Sequence, residues 1–468
     1  MEGSIKPADD MISTAKRQST YWKQTSINDR ITYLKKLQNV LINQLDHYVA
    51  WISKRTNKHQ LDVLTGDFLI VFSALDYYIK NGTEILNPVK KKSPFPFWGC
   101  TSYVRYEPYG VVLIFSPWNY PFQLSILPII SAFITGNTII LKCSDQLPGF
   151  APFLRSIFDQ LNLPDGILQI IDGNAMVGQT LIEAKPNLVF FTGSHTTGDK
   201  VYQKAASLGI PCILELSGKD PMVVFDDCHL DRAANAAVWG SLVNGGQACV
   251  SVERIYVQSG IYGSFVEKVK DILKKIDSKS FSGMTTKESM EHVKKQVMDA
   301  INRGASHFRP DFHDEPFPIF LPPTLLTNVS HEMEIMRDET FGPVIAVMPF
   351  ETEDDAIRLV NDSPYGLNAY LFTRNKSRIR RMIPLIESGS IFINDVVTNI
   401  SNIHLPFGGV KCSGIGHYHG REGLLNFCSP KSVMQNNKNS GRNVNWYPYN
   451  KKAYSYIRNW IKWRYKAK

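Results

Sequence analysis

The sequence predicts an α/β fold with open, largely parallel sheets. Three observations carry this: short apolar runs without polar breaks, helical patterns between them, and the same alternation resumed in the second half of the chain. Residues 29–52 keep Ile31, Leu34, Leu37, Leu41, Leu45, Tyr48 and Ile52 at three- or four-residue spacing, which predicts an amphipathic helix with Asp29 as N-cap. Residues 90–108 mix Lys, Pro and aromatics and then alternate Tyr103, Arg105 and Glu107, the pattern of an exposed hairpin. Strands follow over 111–115, 138–141, 168–171, 188–191 and 213–216, separated by helices over 121–135, 151–161 and 198–208. The first of these helices has Pro121 in its first turn, where no N–H is missed. A second α/β region is expected from helices over 231–243 and 262–276 and strands over 255–258, 344–348, 369–372 and 390–394.

The 468 residues allow two or three domains, and an apolar content of 43% fits an ordered core. The formal charge is +9, yet residues 438–468 alone hold nine Lys/Arg and no Asp/Glu. The basicity is thus a property of the tail, the body is near neutral, and no nucleic-acid partner is expected. Seven cysteines, an odd number without a C-x-x-C, do not make a disulfide scaffold, so a reducing, cytoplasmic setting is expected. Residues 1–17 have early acids and no apolar stretch, unlike a secretory signal. The longest apolar stretch, 124–141, is broken by Pro128, Gly136 and Asn137 and is a poor membrane span.

Five places hold chemistry. Cys249 directly follows a helical pattern and the Gly245-Gly246 pair, whose small residues keep bulk away from the sulfur. A nucleophilic thiol and a buried structural cysteine both fit. Glu215 sits in the apolar run Ile213-Leu-Glu-Leu before Gly218, where desolvation would raise its pKa toward that of a general base. Pairing with Lys219 is the other reading. Gly193 and Ser194 lie in Thr192-Gly-Ser-His-Thr-Thr-Gly198, a strand-to-helix turn able to offer N–H groups to a phosphate. Lys200 falls one place late for a P-loop. Asn119 and Lys142 follow or end strands, where open sheets place ligands, although a turn Asn and a solvated Lys need no such role. His417 and His419 lack a third ligand at standard spacing, and no metal is expected.

Taken together, the motifs resemble the aldehyde dehydrogenase superfamily over about residues 20–435. The blocks are Pro117-Trp118-Asn119, Leu141-Lys142, Phe191-Thr-Gly-Ser194, Glu215-Leu-Ser-Gly-Lys219, Gly246-Gln-Ala-Cys249, Glu339-Thr-Phe341-Gly-Pro-Val344 and Leu405-Pro-Phe-Gly-Gly-Val410. The short N-terminus, Ser413-Gly-Ile-Gly-His-Tyr418-His419-Gly420 and the aromatic tail with Tyr447-Pro-Tyr449 resemble the class 3 or fatty aldehyde branch. Ser217, Cys143, Asp145, Ser251 and Lys411 depart from family or branch patterns.

The resemblance implies a Rossmann-like NAD-binding domain (1–89 and 109–217), an α/β catalytic domain (218–421), a small β oligomerisation element (90–108 and 422–437) and a basic aromatic tail (438–468), assembled as a homodimer. It implies NAD(P)-dependent oxidation of an aldehyde to the acid through a thiohemiacetal and a thioester. Cys249 would be the nucleophile, the Asn119 amide and Cys249 N–H the oxyanion donors, and Glu215 the base that activates water. Glu339 and Phe341 would position the nicotinamide ribose and ring, and Lys142 and Asp145 the adenosine ribose. Gly193 belongs to the cofactor loop, with Trp118 and Ser194 facing the pyrophosphate. A carboxylate at 145 favours NAD, and its shortness leaves room for NADP. Medium- or long-chain aliphatic or aromatic aldehydes are the implied substrates, with short acidic semialdehydes and a catalytically inactive binding protein as alternatives. Retention of Glu215 argues against transfer to coenzyme A.

In the tail, Tyr454, Ile457, Ile461 and Tyr465 keep helical spacing beside Arg458, Lys462 and Lys466, with Trp460 and Trp463 among them. This predicts an amphipathic helix that either rests on an anionic membrane surface or packs on protein.

Overall fold

The computed structural model describes residues 8–466 except 313, 439–441 and 444. The reading of residues 1–7 and of those tail positions lies outside the described residues. The chain forms two compact units, 1–86 with 107–429 and 87–106 with 430–468.

The first unit opens with helices Ala8–Gln24, Ile27–Asn43 and Leu45–Thr56, then a π-helix at Val63–Leu69 that runs into a helix at Ile70–Leu86. The single helix expected over 29–52 is therefore two, broken at Gln44. Its N-cap is Ser26 rather than Asp29: the Ser26 hydroxyl accepts the Asp29 N–H at 3.2 Å. The apolar spacing continues across the break, so periodicity alone did not reveal it. Trp22 is fully buried, packs on Phe133 at 4.7 Å between ring centroids and donates its indole N–H to the Phe133 carbonyl at 3.2 Å.

The 90–108 segment is a hairpin of β1 (Val89–Lys91) and β2 (Cys100–Pro108), antiparallel with Val89 opposite Val104. Next come β3 (Val111–Phe115), β4 (Thr138–Lys142), β5 (Leu168–Ile171), β6 (Leu188–Thr192) and β7 (Cys212–Glu215). With the short β15 (Gly414–Ile415) they form a six-stranded sheet of order β15-β7-β6-β3-β4-β5, parallel except for β15. β3 is buried at every position because helices cover both faces, which explains its unbroken apolar run. The Pro121–Thr135 helix behind it is buried on all sides. It ends at Gly136, whose φ of +93° suits glycine, while the Arg30 guanidinium donates to the last-turn carbonyl of Ile134 at 2.7 Å.

The second sheet contains β8 (Asp220–Val224), β9 (Val252–Gln258), β10 (Ser306–Phe308), β11 (Thr324–Thr327), β12 (Val344–Phe350), β13 (Asn368–Phe372) and β14 (Ser390–Ile393). Its order is β10-β11-β12-β9-β8-β13-β14, parallel except for β10. Sequence reading missed β8, which follows Glu215 too closely for a separate apolar run to stand out. It also missed the Lys287–Asn302 helix, which is polar on most of its faces. β16 (Cys428–Asn436) joins the hairpin in a three-stranded sheet of order β1-β2-β16. In the second unit the tail forms the expected helix, Lys451–Arg464, with the Asn450 side chain capping it at the Ala453 N–H, 2.7 Å. Among the described residues no helix is long and apolar enough to cross a membrane, and no group of three His, Cys, Asp or Glu is placed to hold a metal.

Candidate active site

The strand order of the six-stranded sheet reverses between β3 and β6, the kind of position at which open α/β sheets bind ligands. The turn after β3 carries Trp118 and Asn119; the turn after β6 carries Gly193 and Ser194. Asn119 is buried, and its side-chain amide donates one N–H to the Gln247 carbonyl at 3.0 Å. An NH₂ group has a second hydrogen, which remains for another acceptor.

Gln247 belongs to the turn that delivers Cys249. Asn244, Gly245 and Gly246 have φ of +55°, +64° and +72°, three successive left-handed residues that reverse the chain after the Leu230–Leu242 helix. The turn is locked from inside. The Asn244 amide donates to the Asn119 carbonyl at 3.0 Å and the Gln247 carbonyl at 3.1 Å. The Gln247 amide donates to the Asn244 carbonyl at 2.8 Å and the Gly283 carbonyl at 3.1 Å. A Cβ at Gly246 would meet the Gly342 carbonyl, so glycine is required both for its φ and for this close approach.

Cys249 is half-buried. Burial first, then the negative charges of Glu339, Asp220 and Glu215, push its thiol well above the ordinary range. A Cβ at Gly218 would meet the Cys249 carbonyl, so the loop after Glu215 lies directly on the cysteine backbone. Glu215 ends β7. Its carboxyl is buried, neither oxygen has a hydrogen-bond partner, and burial raises its pKa well above the ordinary 4.5. Pairing with Lys219 does not occur, because the Lys219 ammonium is 2.6 Å from Glu253.

That Lys219–Glu253 pair is buried and holds the third side of the site. Glu253 accepts the Thr340 N–H at 2.9 Å and the Phe341 N–H at 3.0 Å; Lys219 also donates to the Thr340 hydroxyl at 2.9 Å. Phe341, held at φ +54°, then meets Trp118 edge-on at 5.7 Å. Glu339 accepts the Gly218 N–H at 3.2 Å, and burial with the neighbouring Glu253 charge raises its carboxyl to about 7. Glu253, Thr340, Asn244 and Gln247 were missed in the sequence reading. Their role is to hold backbone, and backbone partners leave no spacing signal.

On the cofactor side, Ser194 caps the His195–Ser207 helix by accepting the Thr197 N–H. Gly193 donates to the Glu215 carbonyl at 3.1 Å, and the His195 N–H reaches the Ser217 hydroxyl at 3.2 Å, so this loop and the Glu215 loop are one assembly. Lys142 ends β4, half-buried, its pKa lowered by burial against the pull of Asp145. Asp145 is exposed on the following turn. The structure thus gathers Cys249, Asn119, Glu215, Trp118, Glu339, Phe341, Gly193 and Ser194 by direct bonds or contacts. Lys142 and Asp145 lie one strand away, beyond β3. Tyr418, whose pKa is raised by burial and then by Glu215 and Cys249, also borders the site.

A helix N-terminus after β6 and a lysine ending β4, on either side of β3 and near an aromatic pair and a buried carboxyl, suit a dinucleotide. With the Asn119 amide bonded to the turn that carries Cys249, these features belong to an α/β protein of the dinucleotide-binding class. The aldehyde dehydrogenase family model matches residues 2–433. A 4,4'-diapolycopene aldehyde oxidase of Methylomonas sp is 39% identical over 98% of this chain and 88% of its own length. The aldehyde dehydrogenase family 3 protein comG of Dictyostelium discoideum is 30% identical over 88% of each chain. Among solved structures, betaine aldehyde dehydrogenase of Staphylococcus aureus in complex with NAD+ has a TM-score of 0.86 and 28% identity over 96% of this chain and 90% of that one. The chain belongs to the aldehyde dehydrogenase family and is an NAD(P)-dependent oxidoreductase acting on aldehydes.

The unpartnered Glu215 has a consequence for stability. Its folded pKa lies above the unfolded one, so the folded state keeps a proton that the unfolded chain loses. Stability from this group is full below about pH 4.5 and falls as pH rises toward the folded value. Glu215→Gln, with no charge to bury, should therefore melt above the wild type at pH 8, and the difference should close near pH 4. Equal melting temperatures at both pH values would contradict the unpartnered burial.

Proposed function

We propose that Cys249 is the nucleophile, with Asn119 and the Cys249 N–H as oxyanion donors and Glu215 as the base for hydrolysis. The observation that carries this reading is the Asn119 amide, bonded to the Gln247 carbonyl two residues before Cys249, together with a buried Glu215 carboxyl that has no hydrogen-bond partner among the described residues. The Cys249 thiol releases its proton to solvent, the sulfur attacks the carbonyl carbon, and the developing oxyanion meets donors already held in place, which costs no reorganisation. Bound NAD supplies the hydride acceptor. Trp118, Gly193 and Ser194 would lie along the pyrophosphate, Glu339 and Phe341 against the nicotinamide ribose and ring, and Lys142 with Asp145 at the adenosine ribose. The Asp145 carboxylate repels a 2′-phosphate, so NAD is preferred over NADP. The thioester left on sulfur is opened by water whose proton passes to Glu215, and the acid leaves as the C–S bond breaks. Burial raises the Glu215 pKa, so the ionised form that takes this proton grows as pH rises and deacylation speeds up with it.

In this reading residues 1–89 and 109–217 hold the cofactor and 218–421 the nucleophile; the two large sheets support the division, apart from β15, which lies within 218–421 and pairs with β7. The substrate is a medium- or long-chain aliphatic or aromatic aldehyde. The name of the Methylomonas relative, which specifies a diapolycopene aldehyde, favours this class over short acidic semialdehydes.

The test is NAD reduction with hexanal, decanal and succinic semialdehyde. Wild type should reduce NAD with the first two, faster than NADP. Cys249→Ala should be inactive, and Glu215→Gln should give one NADH per subunit and then stall. Activity confined to succinic semialdehyde would move the substrate to the acidic class, and none with any aldehyde would strike the reading.

The tail is proposed to rest on an anionic membrane surface. Tyr454, Tyr456 and Trp463 are 68%, 62% and 75% exposed on a helix whose charges are all basic. Full-length chain should sediment with phosphatidylserine vesicles, and a chain ending at Asn443 should not; equal recovery would remove the proposal. The sheet β1-β2-β16 leaves outer strands with unpaired edges, which supports a homodimer of these units. Light scattering should give about twice the 53.0 kDa chain mass, and the chain mass itself would exclude it.

A further inference from the structure

We propose that Lys58 and Asp67 are positioning residues for the Asn119 amide. The proposal rests on the reading of Asn119 as an oxyanion donor. The Pro121–Thr135 helix starts two residues after Asn119, and Tyr120 at its N-cap supplies no side-chain bond. Asp67 supplies it from a distant segment: its Oδ1 accepts the N–H groups of Phe122 and Gln123, both at 3.2 Å. The other oxygen, Oδ2, is 2.7 Å from the Lys58 ammonium, and both side chains are completely buried. The same ammonium lies 4.0 Å from the Tyr120 ring centroid, so one cation holds both the cap and the residue next to Asn119.

The carrier of Asp67 is unusual. Val63–Leu69 is a π-helix, a form that is rare and frequent at functional sites. Within it Gly66 leaves room for the Tyr120 ring, since a Cβ there would lie 2.5 Å from Tyr120 Cε1. Asp62, just before the π-helix, reaches the other side of the site. Its Oδ2 accepts the Asn244 N–H at 3.2 Å and the Ser282 hydroxyl at 2.6 Å. Asn244 in turn holds the Asn119 carbonyl and the Gln247 carbonyl. One short segment therefore fixes the Asn119 turn through Asp67 and the Cys249 turn through Asp62. A neutral cap would satisfy the same helix without burying two charges, so the buried pair is the more demanding solution. What it adds is a fixed start for the helix and a fixed Tyr120, hence a fixed direction for the second Asn119 N–H.

The test is a double-mutant cycle. Lys58→Met with Asp67→Leu removes both buried charges together, so no lone ion remains. With decanal it should lower kcat/KM by about tenfold to a hundredfold, because a misplaced donor loses much of what an absent one loses. The Kd for NAD, read by fluorescence, should stay within about twofold. In an Asn119→Ala background the same double change should cost less than about threefold, since the donor it positions is gone. If the double variant does not fold, Asp67→Asn, which keeps an acceptor for the two N–H groups, enters the same cycle. Equal losses in both backgrounds, or a weakened NAD Kd of matching size, would show a general structural role and overturn the proposal; so would unchanged kcat/KM. A wild type inactive on every aldehyde would overturn the functional reading and, with no oxyanion to serve, this one. An active wild type with additive losses would overturn this one alone.

Discussion

The buried contact between Lys219 and Glu253 is the constraint on which the site depends. Lys219 follows the Glu215 loop, Glu253 lies in β9 just beyond Cys249, and the Glu253 carboxylate receives the N–H groups of Thr340 and Phe341. Three segments far apart in sequence thus meet at one ion pair, and each carries a residue of the proposed chemistry on its free side. Arg254 extends the assembly by donating to the Lys219 carbonyl at 2.9 Å and to the Val360 carbonyl at 3.1 Å. Such a pair contributes little net stability against its own desolvation, but it admits few arrangements in which all its donors and acceptors are satisfied. Geometry is what it provides.

Against that satisfied frame, other buried groups stand unsatisfied. Among the described residues Glu215 and the second oxygen of Asp220 have no hydrogen-bond partner, and the negative charges of Glu339, Asp220 and Glu215 act on the Cys249 thiol. Burial shifts each of these groups toward its protonated form. The frame bears the cost of keeping them apart from water. Two kinds of buried carboxyl therefore share the site: Glu253, saturated and structural, and Glu215, unpartnered and available. Residue type does not separate them; hydrogen-bond count does.

A second frame, from the N-terminal helices, meets the first at Asn244. The left-handed turn before Cys249 is bonded on one side to Asn119 and on the other to Asp62 and Gly283, so the positions of Cys249 and Asn119 are tied through it. The family likeness covers nearly the whole chain, and the site draws on residues from nearly the whole first unit, which is why no smaller fragment of the pattern is informative.

The alternation of apolar strands and helices was legible because it reflects sheet faces covered on both sides, a property of each short window. Cys249, Glu215 and Asn119 stood out locally only as candidates, each with a structural reading beside it, and their roles were implied by the family resemblance. The break at Gln44 and the Ser26 cap were not legible, because apolar spacing runs on through both and a capping bond depends on exact backbone angles. Nor was the reason Glu215 is free. The sequence places Lys219 four residues away, in reach of Glu215 as far as spacing can tell, and only the packed chain directs that ammonium to Glu253. The same holds for Lys58 and Asp67, whose partners lie across 55 residues at the start of another helix. Sequence by itself determined which windows are strands or helices and which side chains are candidates for chemistry, because those follow from local composition and period. Tertiary structure decided which charges are paired and which are left uncompensated, because that depends on distances between segments that no local pattern records.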